Sequence, residues 1–380
     1  MVFFGNDFTT TETQRTQSYT EEAEYLMTDK NDSREIFGWK VYDWANSAFY
    51  TTVVAALFSP YLTRLAQTAV GENGVVMHLG PLGNVTAKSL PTLCVSISVG
   101  AQVFLLPVLG ALGDYSDLKK RMMALFCYVA VIANCLMFFI KGELYLWGGV
   151  LFIVANVCFG ASNVFYNAFL PEIVTDDQAD KVSSRGYAYG YLGGALLLLL
   201  NLLLVTRAEQ FGMSTGLAVR LSLLSAGVWW GAFAVIGALL FERLAYLINT
   251  KNAIIVSLVL WAGVVIYAYG FLSSVPEAWV MAGVIAIVLG GSQALSRSLF
   301  ARMIPAGKEA SFFGLYEVSE RGTSWMGPLL FSIVVARTGS YRQALLSLIF
   351  FFVVGLIVLV ITNTDKAIQQ ASVPATESSS

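Results

Sequence analysis

About ten apolar runs, each near the ~20 residues a helix needs to cross a bilayer, follow one another along this chain. They fall near 42–64, 91–113, 122–141, 146–170, 186–206, 219–241, 253–272, 278–297, 313–336 and 343–362. In lipid every backbone N–H and C=O must find its partner inside the protein, so successive runs of this length leave a helical bundle as the architecture. Composition agrees: 56% of the residues are hydrophobic and only 13% are charged, about half the charged share of a soluble domain. The expected fold class is therefore an all-α membrane protein, with the lipid bilayer as its first partner. A net charge of −2 gives no footing for nucleic acid.

The basic residues set a topology. Lys119, Lys120, Arg121, Lys181, Arg185, Arg243, Lys251, Arg297, Arg302 and Lys308 fall in the loops after spans two, four, six and eight. The opposite loops hold Arg64, Lys88, Lys141, Arg207, Arg220, Arg337 and Arg342. By the positive-inside bias both termini are expected in the cytosol. Residues 1–36 and 363–380 are polar and read as disordered cytosolic tails. Asn84-Val85-Thr86 then lies on the far side as a glycosylation candidate at Asn84, although such triplets also arise by chance. The four cysteines all lie in apolar runs and the single histidine, His78, in a polar loop. Triad hydrolysis and His-based metal binding have almost no raw material. No enzyme, cofactor or metal site is expected.

Several runs carry polar groups that a simple anchor does not need. In the first, Asp43, Asn46, Ser47 and Tyr50 share one helical face at i, i+3, i+4 and i+7. Two readings stand for Asp43: a group facing other helices or a cavity, or a headgroup-level cap at a helix N-terminus. Asn156, Asn163 and Asn167 line one face of the fourth run. Tyr187, Tyr191 and Asn201 lie in the fifth, beside Gly190, Gly193 and Gly194, which allow close helix approach. The eighth holds Ser292, Gln293 and Ser296. The ninth holds Glu317 and Arg321 at i, i+4, in the favourable acid-first order. For the amides the competing reading is helix–helix glue; for Glu317 with Arg321 it is a structural ion pair. Glu320 has no local partner. A carboxylate without a fixed partner in a low dielectric can take up and release a proton, which makes Glu320, and next Asp43, candidates for proton coupling.

The loop after the second run reads Gly110-Ala111-Leu112-Gly113-Asp114-Tyr115-Ser116-Asp117-Leu118-Lys119-Lys120-Arg121. It resembles the loop signature of the major facilitator superfamily, matching at Gly110, Leu112, Asp114 and Lys119 and departing at Tyr115, Asp117 and Leu118. Small residues there let helices cross closely, while Asp114 with Lys119, Lys120 and Arg121 can latch across the cytosolic face. A weaker echo, Leu244-Ala245-Tyr246-Leu247-Ile248-Asn249-Thr250-Lys251, follows the sixth run. Superfamily carriers have two six-helix halves, with the signature after the second span of each. Here the second copy comes two spans early. About two of twelve helices are expected to be missing, and 218–242 reads as a fused span. It would join a first half at 37–217 to the remainder of a second at 243–362.

Asp43-Trp44-Ala45-Asn46-Ser47-Ala48-Phe49, the block Ser184–Gly194, Trp229-Trp230, and Gly314-Leu315-Tyr316-Glu317 with Thr323-Ser324-Trp325-Met326-Gly327-Pro328 together resemble the vacuolar effluxer family linked to autophagy. For fungal members the resemblance implies efflux of amino acids from the vacuole. The expected function is a secondary transporter for small organic solutes, amino acids first, at a vacuolar or other cellular membrane. Asp43, Asn46 and Asn163 would line one wall with Tyr187 and Tyr191 nearby, and Glu317 and Glu320 the other. The rival reading is a non-transporting short form that pairs with a full-length carrier. An incomplete gene model would carry no functional claim at all.

Overall fold

The computed structural model describes residues 30–72, 74–78, 84–115, 118–237, 258, 262–263, 265–267, 275–324, 326–338 and 340–372. Most of the expected span at 253–272, the echo at 244–251 and the outer parts of both tails lie outside them.

Helix α1 (Ser33–Ala48) starts on Asp32, whose carboxylate accepts the Arg34 N–H at 2.7 Å. That start lies inside the stretch expected to be disordered. The reason is tertiary: Asn31 donates its N–H to the Ile173 carbonyl at 2.8 Å, and its side chain exchanges hydrogen bonds with Thr175. α1 runs into a widened π-helical stretch, Phe49–Leu57, and then α2 (Phe58–Val70). Pro60, which has no N–H to give the Ala56 carbonyl one turn back, stands just past that stretch. A two-stranded antiparallel ribbon follows, β1 (Val75–His78) with β2 (Asn84–Thr86). It takes His78 out of the expected loop and places Asn84 in a strand.

Helices α3 (Leu90–Asp114), α4 (Lys119–Leu136), α5 (Tyr145–Ala168), the short α6 (Leu170–Ile173), α7 (Asp176–Thr206) and α8 (Thr215–Gly237) continue the first group. α1 packs on α7 and α8, α3 on α5, and α4 on α5 and α8. Aromatic rings fill the middle. Phe58 stacks on Phe152 at 4.1 Å, and Phe49 packs against both Phe159 and the fully buried Trp230.

The second group holds α9 (Val275–Arg302), α10 (Glu309–Thr323), α11 (Met326–Thr338), α12 (Tyr341–Ser347), α13 (Ile349–Ile361) and α14 (Thr364–Ser372). The ninth apolar run is thus two helices, α10 and α11. α14 occupies part of the expected C-terminal tail, with Asn363 accepting the Lys366 N–H at 3.0 Å as a cap. Six helical segments among the described residues are long and apolar enough to cross a membrane. The chain is an all-α membrane protein, with the small ribbon the one sheet among the described residues.

Among the described residues the two groups meet chiefly along two seams, where α3 and α5 face α10 and where α7 faces α9. Lipid tails are as apolar as leucine, so helices in a bilayer associate through close backbone approach and polar contacts. Glycines provide the approach. A Cβ at Gly110 would stand 2.3 Å from the Ala310 carbonyl oxygen, and one at Gly314 2.8 Å from that of Leu106. Within the first group, Gly190 faces the Ser47 hydroxyl and Gly193 the Trp44 carbonyl, which brings α7 onto α1.

Candidate functional site

Two polar clusters span the seams. The first lies where α3 ends and α10 begins. Asp114 accepts the N–H groups of Ala310 at 2.9 Å and Ser311 at 2.7 Å, so it caps a helix of the other group. Those donors lack intrahelical acceptors, and the positive end of the helix dipole suits an anion. Lys119 stands 3.2 Å from Asp114, 2.6 Å from Glu172 and 2.9 Å from Glu309. Glu309 also accepts the N–H of Gly307, which turns at φ 79°. The structure therefore joins Gly110, Asp114 and Lys119 across the groups. Lys120 and Arg121 remain exposed and outside this cluster. Glu172 and Glu309 complete it, and no local sequence pattern had singled them out.

The second cluster is deeper and centres on Arg297. The sequence had placed this residue in a loop; it is 2% exposed, on α9. The apolar run does not stop at Arg297 but continues through Leu299, Phe300 and Ala301, and that was the available signal. Its Nε donates to the Ser183 hydroxyl and Nη2 to the Ser183 carbonyl, both at 2.9 Å, and Nη1 to Asn167 Oδ1 at 3.3 Å. Its guanidinium lies 4.6 Å from the Trp39 ring centre and 4.1 Å from that of Tyr187. Asp43 faces it at 3.6 Å, in an ion pair too long for a hydrogen bond. The cap on α1 is Asp32, so the inward reading of Asp43 is the one that applies.

Asn167 links onward, donating to Glu317 at 3.1 Å, and Glu317 accepts the Arg321 Nε–H at 3.1 Å. The three aligned asparagines of α5 thus serve four neighbouring helices. Asn156 donates to Ser98 on α3, Asn163 accepts from Asn46 on α1 at 2.8 Å, and Asn167 touches both α9 and α10. The Tyr191 hydroxyl bonds Gln293 across the α7–α9 seam. Ser47 lies against Gly190. Asp180, absent from the expected set, accepts from Ser298 at 2.6 Å and pairs with Arg302 at 3.2 Å.

Tyr50 is 56% exposed, Tyr191 is 39% exposed, and Glu320 is exposed with no ion pair within 4 Å among the described residues. All three lie on the side away from the Asp114 cluster. Among the described residues, α10 packs on α3 and α5, and α11 packs chiefly on α12. Asn84 is exposed in β2, its side chain bonded to His78 at 2.7 Å.

A family model described as "Vacuole effluxer Atg22 like" matches residues 31–246 and 231–372. The chain is similar to an uncharacterized MFS-type transporter, YxiO, of Bacillus subtilis, 26% identical over 439 residues, covering 91% of this chain and 99% of the relative. It is similar to autophagy-related protein 22 of Eremothecium gossypii, 22% identical over 470 residues, with 88% and 92% covered. Autophagy-related protein 22-1 of Penicillium rubens is 21% identical over 553 residues, with 90% and 92% covered. Each alignment is longer than the 380 residues of the chain, so the relatives carry sequence that this chain lacks. The two stretches that match the family model together span nearly all of the described fold, and the chain belongs to the vacuole effluxer family of the major facilitator superfamily.

Proposed function

We propose that this chain is a secondary transporter that moves small organic solutes, amino acids foremost, by alternating access, across a vacuolar membrane with both termini in the cytosol. The observation that carries this reading is the polar chain Asp43–Arg297–Asn167–Glu317–Arg321, which crosses from one helix group to the other. Buried charges between rigid groups are expensive in a membrane and mark solute or ion pathways. On this reading Asp43, Asn46, Ser47, Tyr50, Asn163, Tyr187 and Tyr191 form one wall, and Gln293, Glu317 and Glu320 the other. On the same reading the Asp114–Lys119 cluster is the cytosolic latch, which holds α3 against α10. Relatives named as autophagy-related protein 22 and as an MFS-type transporter support the solute-carrier class.

Proton coupling is assigned to Glu320, with Asp43 second. Around Glu320 the charged and titratable groups are Glu317, Arg321 and Tyr316 on its own helix, Arg297 on α9, and Tyr187 and Tyr191 on α7. In vesicles holding the purified chain, an imposed pH gradient should drive solute movement, and Glu320→Gln should uncouple it. Wild-type rates and wild-type pH response in both Glu320→Gln and Asp43→Asn would rule the coupling out.

A second reading has an observation of its own. The two stretches matching the family model overlap at 231–246, within and just past the expected fused span, and the relatives carry the longer sequence. A short form that pairs with a full-length carrier accounts for both facts. Co-purification of the chain with a full-length relative, together with no solute flux by the chain alone, would favour it.

A further inference from the structure

Arg297 belongs to the second helix group, yet its hydrogen bonds, ion pair and ring contacts all reach into the first, with Glu320 and Tyr316 of α10 acting on it only at longer range. Ser183 and Tyr187 lie on α7, Asn167 and Tyr166 on α5, Asp43 and Trp39 on α1. The slot is shaped for it. A Cβ at Gly186 would stand 3.0 Å from the guanidinium and 2.6 Å from the Trp39 ring. A residue needed only for packing has no reason to carry charge here, because well-packed apolar side chains commonly replace buried ion pairs without loss. What the charge adds is an all-or-none contact. Separation of the groups would break all of these direct contacts together.

The anionic side of the contact is loose. Asp43 stands 3.6 Å away, and its Oδ2 is buried without a hydrogen bond. The fixed bonds are those to Ser183, whose hydroxyl also donates to the Ala294 carbonyl at 2.7 Å. Asp180, with Ser298 and Arg302, closes the same seam one turn nearer its end.

We infer that Arg297 locks the two helix groups together along the α7–α9 seam, and that its withdrawal from the slot between Trp39 and Tyr187 is the opening step of that seam. Arg297 is thereby a positioning residue, with Ser183 as its principal anchor and Asp43 as the weaker charge partner. The inference rests on the alternating-access reading, and its test reads conformation rather than flux, so the two fail separately.

The experiment places spin labels through Asp177→Cys and Ala306→Cys, exposed positions on either side of the α7–α9 seam, in the full-length chain in lipid vesicles. The four native cysteines, Cys94, Cys127, Cys135 and Cys158, are replaced by alanine. Without solute, the distance distribution should be mainly narrow. Arg297→Gln should raise the ratio of wide to narrow populations about tenfold or more, since charge-assisted bonds are lost. Arg297→Lys should fall between, because it keeps the charge but loses the planar fork. Ser183→Ala should shift the ratio in the same direction by less. An unchanged narrow distribution in folded Arg297→Gln overturns the inference. If Arg297→Gln does not fold, Ser183→Ala decides, and no widening there overturns it equally.

Discussion

Replacing Asp114 with asparagine tests the contact that closes the α3–α10 seam. The carboxylate holds two backbone N–H groups of another helix, at 2.9 and 2.7 Å, and faces Lys119 at 3.2 Å. Asparagine offers one carbonyl oxygen, so one of the two bonds is lost, and the other loses its charge assistance. A hydrogen bond to a charged group contributes about 1.5–3 kcal/mol, and losing a helix cap costs about 0.5–2 kcal/mol. A loss of about 2 kcal/mol is the expectation, or about a 30-fold change in the equilibrium between held and released contact. The assay is amide hydrogen exchange. N–H groups in the first turn of a helix have no acceptor within that helix and are ordinarily unprotected. Protection at Ala310 and Ser311 therefore depends on Asp114 itself. In Asp114→Asn both amides should exchange about 30-fold faster, while amides in the middle of α5 keep their rates. Unchanged exchange at Ala310 and Ser311 would refute the contact and the latch built on it.

Three further substitutions separate glue from function. Gly110→Ala drives a methyl toward the Ala310 carbonyl; overpacking of this kind costs about 1–3 kcal/mol, and thermal unfolding in detergent should occur at lower temperature. Asn163→Ala removes one interhelical bond to Asn46, worth about 0.6 kcal/mol in a membrane. Thermal stability should barely move while solute flux drops; equal, small effects on both would leave Asn163 as glue. Tyr191→Phe deletes the hydroxyl that reaches Gln293 across the seam and should change the apparent affinity for solute, read from concentration dependence of uptake, more than it changes stability.

Much of the bundle was legible because lipid imposes a simple rule on backbone length and polarity. The runs at 91–113, 122–141, 146–170 and 186–206 correspond to α3, α4, α5 and α7. Hydropathy could not see the ends that are set by other parts of the chain. α1 begins early because Asn31 is tied to Thr175, and α14 forms because Asn363 caps it. Helical periodicity correctly grouped Asp43 with Asn46, and Glu317 with Arg321, since those relations are local. It could not show that Asp43 meets Arg297, separated by most of the chain, or that Lys119 gathers Glu172 and Glu309. Arg297 was missed for a physical reason: a charge near a helix end looks like a loop residue until its aromatic slot is known.

The account stands or falls on solute movement by this chain. The direct measurement is uptake of a radiolabelled amino-acid panel into vesicles that contain the purified protein, compared with empty vesicles and with vesicles holding Arg297→Gln. The account predicts saturable accumulation of at least one amino acid in the wild-type vesicles, strongly reduced in the variant. Uptake indistinguishable from empty vesicles across the panel would contradict it.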